Sequence, residues 1–434
     1  MTLKFKWETE FKETEIGETP KDWEVRKIGI VAKVNEELIN KNYNYKIIEY
    51  IDINSVESGL ILEKKVIPLE IAPTRARRVV RNNDILLSTV RPNLRHYAFV
   101  KYSKPNTIAS TGFAVIRARN IAPRYLYYYI TTDFVTEYLT QIAETHTSAY
   151  PSFTPDVVEN LKTPYPSPHE QSRIATVLSW FDDLIENKKR QNEILEKVAM
   201  AIFKSWFVDF EPFKDEEFVY SEELGKEISK GWEVKPIDAV AEFVKGLSYR
   251  SNELVDNLTE GEIFITLKIF KRGGGFRPEY KYYRGNRYSD EQVVYDGDLV
   301  IALTDMTSDA KVVGAPALVI LPPYKDKGIL SLDAAKLNVP QYMKEYAYLY
   351  LKDSQEENST FANGVNVLHL NLNLFKIGKL ILIPPQPILQ HFHFLVEPLF
   401  QKIILNQKQI MVLRKIRDVL LPQLVFGKLE VVEL

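Results

Sequence analysis

The chain has 434 residues, enough for two to four domains of roughly 100 to 200 residues each, which excludes a single small domain. Its 45% hydrophobic, 26% charged and 12% aromatic content is that of a folded protein, and the formal net charge of -2 argues against a surface uniformly wrapped in nucleic acid. With no cysteine there are no disulfides, thiolate nucleophiles or Cys-based zinc sites. The start, MTLKFKWETEFKETEIG, holds no signal-like apolar stretch, and no segment reaches the roughly 20 apolar residues that span a bilayer. A cytoplasmic, non-membrane protein is expected.

The near-neutral average conceals two basic tracts. Thirteen Lys or Arg from Lys64 to Arg124 face only Glu70 and Asp84, and seven from Lys268 to Arg287 face only Glu279. Their separation of about 200 residues prompts a search for an internal repeat, and one is present. Ile16-Gly17-x-x-Pro20-Lys21-x-Trp23-Glu24-Val25 returns as Leu224-Gly225 through Lys230-Gly231-Trp232-Glu233-Val234. Asn83-Asp84-Ile85-Leu86-Leu87 returns as Gly297-Asp298-Leu299-Val300-Ile301, a turn and then a buried strand. Tyr125 to Tyr129 matches Tyr346 to Tyr350, and Leu161-x-x-x-x-Pro166-x-Pro168-x-x-Gln171 matches Leu380-x-x-x-x-Pro385-x-Pro387-x-x-Gln390. Four pairs share one order and offsets of 209 to 221 residues.

In chain order, residues 1–165 mix short β-rich runs (47–53, 84–90, 113–117) with a Tyr-rich helical stretch, an α+β or mixed α/β globule. A long helix is expected over 166–210. Leu178, Phe181, Ile185, Asn192, Leu195, Ala199 and Ile202 fall on alternating steps of three and four, with Lys188 filling a gap. Residues 211–385 form a second globule with β runs at 263–269, 298–303 and 317–321. A second helix and tail occupy 386–428, with Leu399, Ile403, Asn406, Ile410, Leu413 and Leu420 in register and Arg417 in the gap. Heptad spacing with polar interruptions reads as a seam between two paired helices; the alternative is that each helix packs on its own globule. Pro168 and Pro387 suit helix starts, and Pro422 is expected to loosen or end the second helix near its last turn.

Catalytic signatures are sought and not found. Leu321-Pro322-Pro323-Tyr324 has the shape of an amino-methyltransferase motif, but its Leu cannot accept the amino proton. Gly273-Gly274-Gly275, between Lys271, Arg272 and Arg277, reads as a flexible basic loop, and no P-loop exists. Pro155-Asp156 with Glu159 and Lys162 lacks nuclease spacing. His391 and His393 are two residues apart on a helix and point to different faces, unsuited to one metal. His96 and His146 fall in loops. No catalytic residue, metal or cofactor is assigned.

What remains is basic residues interleaved with aromatic and small polar ones. Thr89 to Tyr97 follows a buried strand and sets Arg91, Asn93, Arg95 and Tyr97 on a strand-end loop. Arg there can reach phosphates or pair with guanine in two-pronged fashion. The equivalent second-copy stretch carries Thr304, Thr307 and Lys311, nearly unrelated in chemistry, which suits either two readers of different sequences or drift between duplicates. Arg75, Arg77, Ser148 and Tyr150 complete the first-copy candidates for DNA binding. Ser248, Tyr249, Arg250, Lys271, Arg272 and Arg277 complete the second.

The pattern resembles the specificity subunit of type I restriction-modification systems. The resemblance is carried by Thr163-Pro164-Tyr165-Pro166-Ser167-Pro168-His169-Glu170-Gln171-x-x-Ile174, Lys204-Ser205-Trp206-Phe207, Ile383-Pro384-Pro385-Gln386-Pro387-x-x-Gln390 and Leu420-Leu421-Pro422-Gln423-Leu424-Val425-Phe426-Gly427. It implies two target-recognition domains separated by an antiparallel pair of coiled-coil spacer helices. Each domain then reads half of a bipartite, gapped target in double-stranded DNA. It also implies that chemistry lies elsewhere, in two adenine-methylating modification subunits and in restriction subunits docked on this chain. The second copy departs from the pattern, with Leu389 where the first has Glu170. The 39 residues from Pro168 to Trp206 make a helix of roughly 58 Å. That suffices to hold two globules of order 40 Å about one DNA turn apart, roughly 34 to 36 Å. The competing reading is a non-catalytic coiled-coil scaffold that binds nucleic acid nonspecifically.

Overall fold

The structure, a computed structural model, describes residues 4–40, 42–146, 151–257, 259–307 and 309–433. It divides into two compact units, Met1–Leu184 with Arg414–Leu434, and Ile185–Leu413. This cut differs from a linear succession of globule, helix, globule and helix. Strand Lys4–Trp7 pairs antiparallel with Leu429–Glu433, which ties the C-terminus to the first globule. The helices Pro168–Phe207 and Gln386–Val425, 40 residues each, contribute turns to both units.

In the first unit an antiparallel sheet orders Tyr97–Phe99, Ile85–Ser88, Phe113–Ala118 and Ala32–Val34. A second sheet orders Ala76–Val79, Thr107–Ser110, Ile47–Ile51 and Lys65–Pro68, its central pair parallel. The run Ile85-Leu86-Leu87 is apolar without interruption because it lies between two cores. Ile85 and Leu87 face the core of Trp23, Tyr125 and Leu178, and Leu86 faces that of Ile51, Val80 and Phe113. Successive strand residues point to opposite faces, so a strand covered on both sides needs no polar positions.

The second unit repeats this layout. One sheet orders Pro316–Leu318, Leu299–Ala302, Ala334–Asn338 and Glu242–Lys245. The other orders Val293–Val294, Gly328–Leu330, Glu262–Ile265 and Lys281–Tyr283, the middle pair again parallel, with Leu254–Val255 added at one edge. Leu299 and Ile301 face one core, and Val300 and Ala302 the other.

The repeated tyrosines bond the strands that lead into the repeated proline-rich segments. From helix Pro123–Ile130, Tyr125 donates its hydroxyl to Pro164 O at 3.3 Å and Tyr129 donates to Lys162 O. From helix Lys344–Asp353, Tyr346 donates to Leu382 O and Tyr350 to Leu380 O at 3.2 Å. Each buried hydroxyl thereby satisfies a strand carbonyl.

The first long helix begins at Pro168 and the second one residue before Pro387. Pro422 lies inside the last turn, and the helix closes at Val425. Near their ends both helices enter globular cores, through Ile174, Val177, Leu424 and Val425 in the first unit and Phe203, Phe207, Phe392 and Val396 in the second. Between these ends, polar side chains join the two helices. Asn406, fully buried, donates to Asn192 Oδ1 at 3.0 Å and Gln191 Oε1 at 3.2 Å, and Lys188 donates to Gln409 Oε1 at 2.6 Å. In the first unit Arg417 meets Asp182 at 2.7 Å. Partner numbers that fall as the other helix's rise define an antiparallel pair. Leu178, Ile185 and Ile410 are buried, and Phe181, Leu195, Ile202, Leu399, Ile403, Leu413 and Leu420 half-buried.

Candidate nucleic-acid interface

In the first unit the loop leaving strand Ile85–Ser88 is stitched in on three sides. Thr89 N donates to Gly112 O at 2.8 Å, and Phe153 N donates to Thr89 O at 3.0 Å. Arg91 N donates to Pro151 O, and Ser58 N and Gly59 N donate to Arg95 O and Tyr97 O. Thr111 N donates to Arg75 O at 2.7 Å, which brings the Arg75 loop alongside. Arg91 and Arg95 flank the short helical turn Pro92–Leu94, both left-handed, with φ of 47° and 56°. Such a backbone costs any residue that bears a Cβ on the order of 1 kcal/mol, and both positions carry arginine rather than glycine.

The second unit builds the same assembly from other side chains. Leu303 N donates to Asp333 O at 2.7 Å and Leu370 N to Leu303 O at 2.8 Å, matching the two Thr89 bonds. Gly273 N donates to Lys311 O at 2.7 Å and Gly275 N to Pro316 O at 2.8 Å, matching the Ser58 and Gly59 bonds. The glycine run is therefore an anchored hairpin tip, which corrects its reading as a flexible loop. All three glycines have positive φ, and a Cβ on Gly274 would stand 3.1 Å from Pro316. Asp305, almost fully buried, shapes the loop by accepting from Thr307 N, Val312 N and Val313 N. Burial raises its pKa, but the Thr307 hydroxyl and these amides outweigh that and hold it below the ordinary aspartate value.

Of the expected DNA contacts, Arg75, Arg77, Arg91 and Asn93 are exposed and Arg95 is half-exposed on this face of the first unit. Lys271, Arg272 and Lys311 are brought together in the second, and exposed Ser248 and Arg250 flank Tyr249 beside the Ser331 turn. One candidate, Thr304, is corrected, and others are held by neighbouring side chains. Thr304 is buried, 3.4 Å from Asp333 Oδ1, and cannot meet a ligand there. Thr307 stays exposed while its hydroxyl bonds Asp305 at 2.6 Å. Tyr97 lies in a strand with its ring against Tyr127, where burial raises its pKa. Half-buried Tyr249 packs edge-on to Phe264, and Arg277 stays exposed while pairing with Glu279 at 3.1 Å. Ser148 and Tyr150 lie outside the described residues, as does the side chain of His146.

The basic tracts are less exposed in charge than in sequence. At least eight of the thirteen cations in the first tract stand in ion pairs. Examples are Arg75 with Asp52, Arg81 with Glu37, Arg95 with Asp133, Lys104 with Glu49 and Arg117 with Asp84. Sequence counting missed these acids because most lie outside the tract. The hairpin at Ser58-Gly59 was also missed; its only signal is a Ser-Gly pair. Among the described residues no group of three or more His, Asp or Glu is placed to hold a metal ion, and no helix is long and apolar enough to cross a membrane. His393 meets Glu345 at 2.6 Å and His391 packs on Trp206.

Glu170, three residues into the first long helix, accepts from the Trp23 indole at 3.2 Å and from Ser167 at 2.7 Å. Its counterpart Leu389 is buried in the second core, whose Trp232 instead packs against Phe207, Phe210 and Phe213. The departure in sequence thus exchanges a hydrogen bond for an aromatic cluster.

Residues 20–197 match the family described as type I restriction modification DNA specificity domain. The type I restriction enzyme MjaIX specificity subunit of Methanocaldococcus jannaschii is 38% identical, over 100% of this chain and 99% of that one. The HindI specificity subunit of Haemophilus influenzae is 26% identical, over 94% of this chain and 100% of its own length. The solved S subunit of a type I restriction-modification system from M. genitalium shares the fold at a TM-score of 0.53 and 15% identity, covering 93% of this chain and 96% of that one. The class is that of DNA-binding subunits of type I restriction-modification systems. The chain belongs to the family of type I restriction enzyme specificity subunits.

Proposed function

We propose that each unit's stitched loop array reads one half of a bipartite, gapped target in double-stranded DNA, and that this chain is the non-catalytic reader of its complex. On this reading residues 1–165 and 211–385 are the target-recognition domains. The helices within 166–210 and 386–428 act as spacers that set the gap and dock two modification subunits and the restriction subunits, in the cytoplasm.

One observation carries the reading: the same backbone bonds hold equivalent loops in both units, while their side chains differ, Arg91, Asn93 and Arg95 against Asp309 and Lys311. A shared frame with unrelated exposed chemistry is what two readers of different base sequences require. The test is selection from a random duplex pool by this chain assembled with its modification partner. Two short fixed blocks at constant spacing are expected. A single contiguous motif, or no enrichment, overturns the reading in favour of a scaffold that binds nucleic acid nonspecifically.

A further inference from the structure

Three arginines on these loop arrays share one arrangement. Arg75 Nη2 donates to Asp52 Oδ2 at 2.8 Å, Arg95 Nη2 donates to Asp133 Oδ1 at 2.6 Å, and Arg272 Nη2 donates to Asp309 Oδ2. The arginine side chains are 40 to 56% exposed. Each aspartate engages one terminal nitrogen and a guanidinium carries five N–H donors, so even with Tyr50 bonded to Arg75 and Tyr97 to Arg95, donors are left for a two-pronged bond. By contrast, Arg77, Lys271 and Lys311 are exposed on the same arrays and stand in no close ion pair among the described residues, Lys271 acting on Glu196 only at longer range.

We propose that Asp52, Asp133 and Asp309 are specificity-determining positioning residues, which make their arginines readers of base edges and leave phosphate binding to Arg77, Lys271 and Lys311. This rests on the DNA-reading function proposed above. An Arg–Asp pair has no net charge, and its carboxylate repels an approaching phosphate, so a phosphate gains little there. A guanine edge offers two neutral acceptors, N7 and O6, and meets no such repulsion. The carboxylate also restricts the guanidinium's orientation, and in the second unit the loop fixes the carboxylate in turn. Asp309 Oδ1 lies 2.8 Å from the Thr307 hydroxyl, itself against buried Asp305, and the hairpin bearing Arg272 is bonded to Lys311 O. An unpaired Lys or Arg favours phosphate, and each such contact adds roughly 0.9 to the logarithmic salt dependence of binding.

The test compares the full chain, assembled with its modification subunits, on its selected target and on unrelated duplex across a salt series. Asp133→Asn and Asp309→Asn are each expected to bind unrelated duplex several-fold more tightly. Each steepens the salt slope by about one and narrows the ratio of target to unrelated affinity. Asp133→Asn in an Arg95→Ala background gives no such gain, which separates action through the arginine from a general loss of negative charge. Lys271→Ala and Lys311→Ala weaken both duplexes alike and flatten the slope by about one, with the ratio unchanged. Asn variants with wild-type slope and ratio overturn the proposal, as does a gain that persists without Arg95. If the wild-type complex prefers no target at all, the reading function itself fails, an outcome visible before any variant is made.

Discussion

Arg417 Nη1 donates to Asp182 Oδ1 at 2.7 Å, and the other oxygen of that carboxylate accepts from the Tyr128 hydroxyl at 2.7 Å. The residue that interrupts the heptad pattern of the second helix thus supplies a charged tie to the first, within the unit that carries Arg95. Both side chains are about three-quarters buried, at 28% and 24% exposed. Arg417→Ala leaves Asp182 with Tyr128 as its remaining partner and is expected to cost about 1 to 3 kcal/mol. Asp182→Ala and Arg417→Ala together are expected to cost less than the sum of the two single changes. Denaturant melts of the two single variants and the double variant measure this coupling; additivity within about 0.5 kcal/mol rejects it.

Asn406 makes a different kind of tie. It is completely buried, its amide nitrogen bonds Asn192 and Gln191, and its Oδ1 has no partner among the described residues. A buried polar residue in a helix seam fixes register at a cost in stability. Replacing Asn192 and Asn406 together by Leu is expected to raise the thermal midpoint by a few degrees, a gain of about 1 kcal/mol or more. It also permits alternative pairing, seen in sedimentation as a mixture of species. A lower midpoint shows instead that the amide pair is a net stabiliser.

Glu196, on the first long helix, accepts from both Lys352 Nζ and the Tyr348 hydroxyl at 2.6 Å. Burial pushes its pKa up, but Lys352 and Tyr348 outweigh that and hold it below the ordinary value of 4.5. A carboxylate whose pKa is lower folded than unfolded stabilises the fold fully above its unfolded pKa, and that contribution is lost as pH falls through the folded value. The second unit is therefore expected to lose stability below about pH 4.5, and Glu196→Gln to flatten that dependence while lowering stability at neutral pH. Melts from pH 7 to 3 on both proteins check the sign. Parallel curves reject a role for Glu196.

The repeat made much of this architecture legible. Ile85-Leu86-Leu87 and Leu299-Val300-Ile301 announce strands buried on both faces, and the three-and-four spacing from Leu178 to Ile202 marks one face of a long helix. Lys188 and Arg417 show as gaps because a charged side chain breaks an apolar period. Their partners Gln409 and Asp182 stay hidden, since pairing across 221 and 235 residues leaves no local mark. The candidate interface was legible as loops and illegible as chemistry. The Thr304 position reads as a loop residue, yet its strand continues under Asp333 and buries it. Asp52 and Asp133 lie 23 and 38 residues from the arginines they engage, so the basic tract looks bare in sequence and is largely neutralised in the fold.

Arg95 shows what the loop retains at the expense of stability. Its φ of 56° suits glycine, and its ion pair with Asp133 lies between groups 40% and 74% exposed, where such pairs contribute little. Arg95→Gly relieves the left-handed strain but frees the unfolded chain, two opposing effects each on the order of 1 kcal/mol. The melting temperature is therefore expected to stay within a few degrees of wild type. Binding to the selected target is expected to fall tenfold or more, the loss of one two-pronged base contact of about 1 to 3 kcal/mol. A residue kept in a strained conformation only for packing predicts the reverse, a lower melting temperature with DNA affinity intact. Calorimetry and a binding titration on the same preparation decide between them.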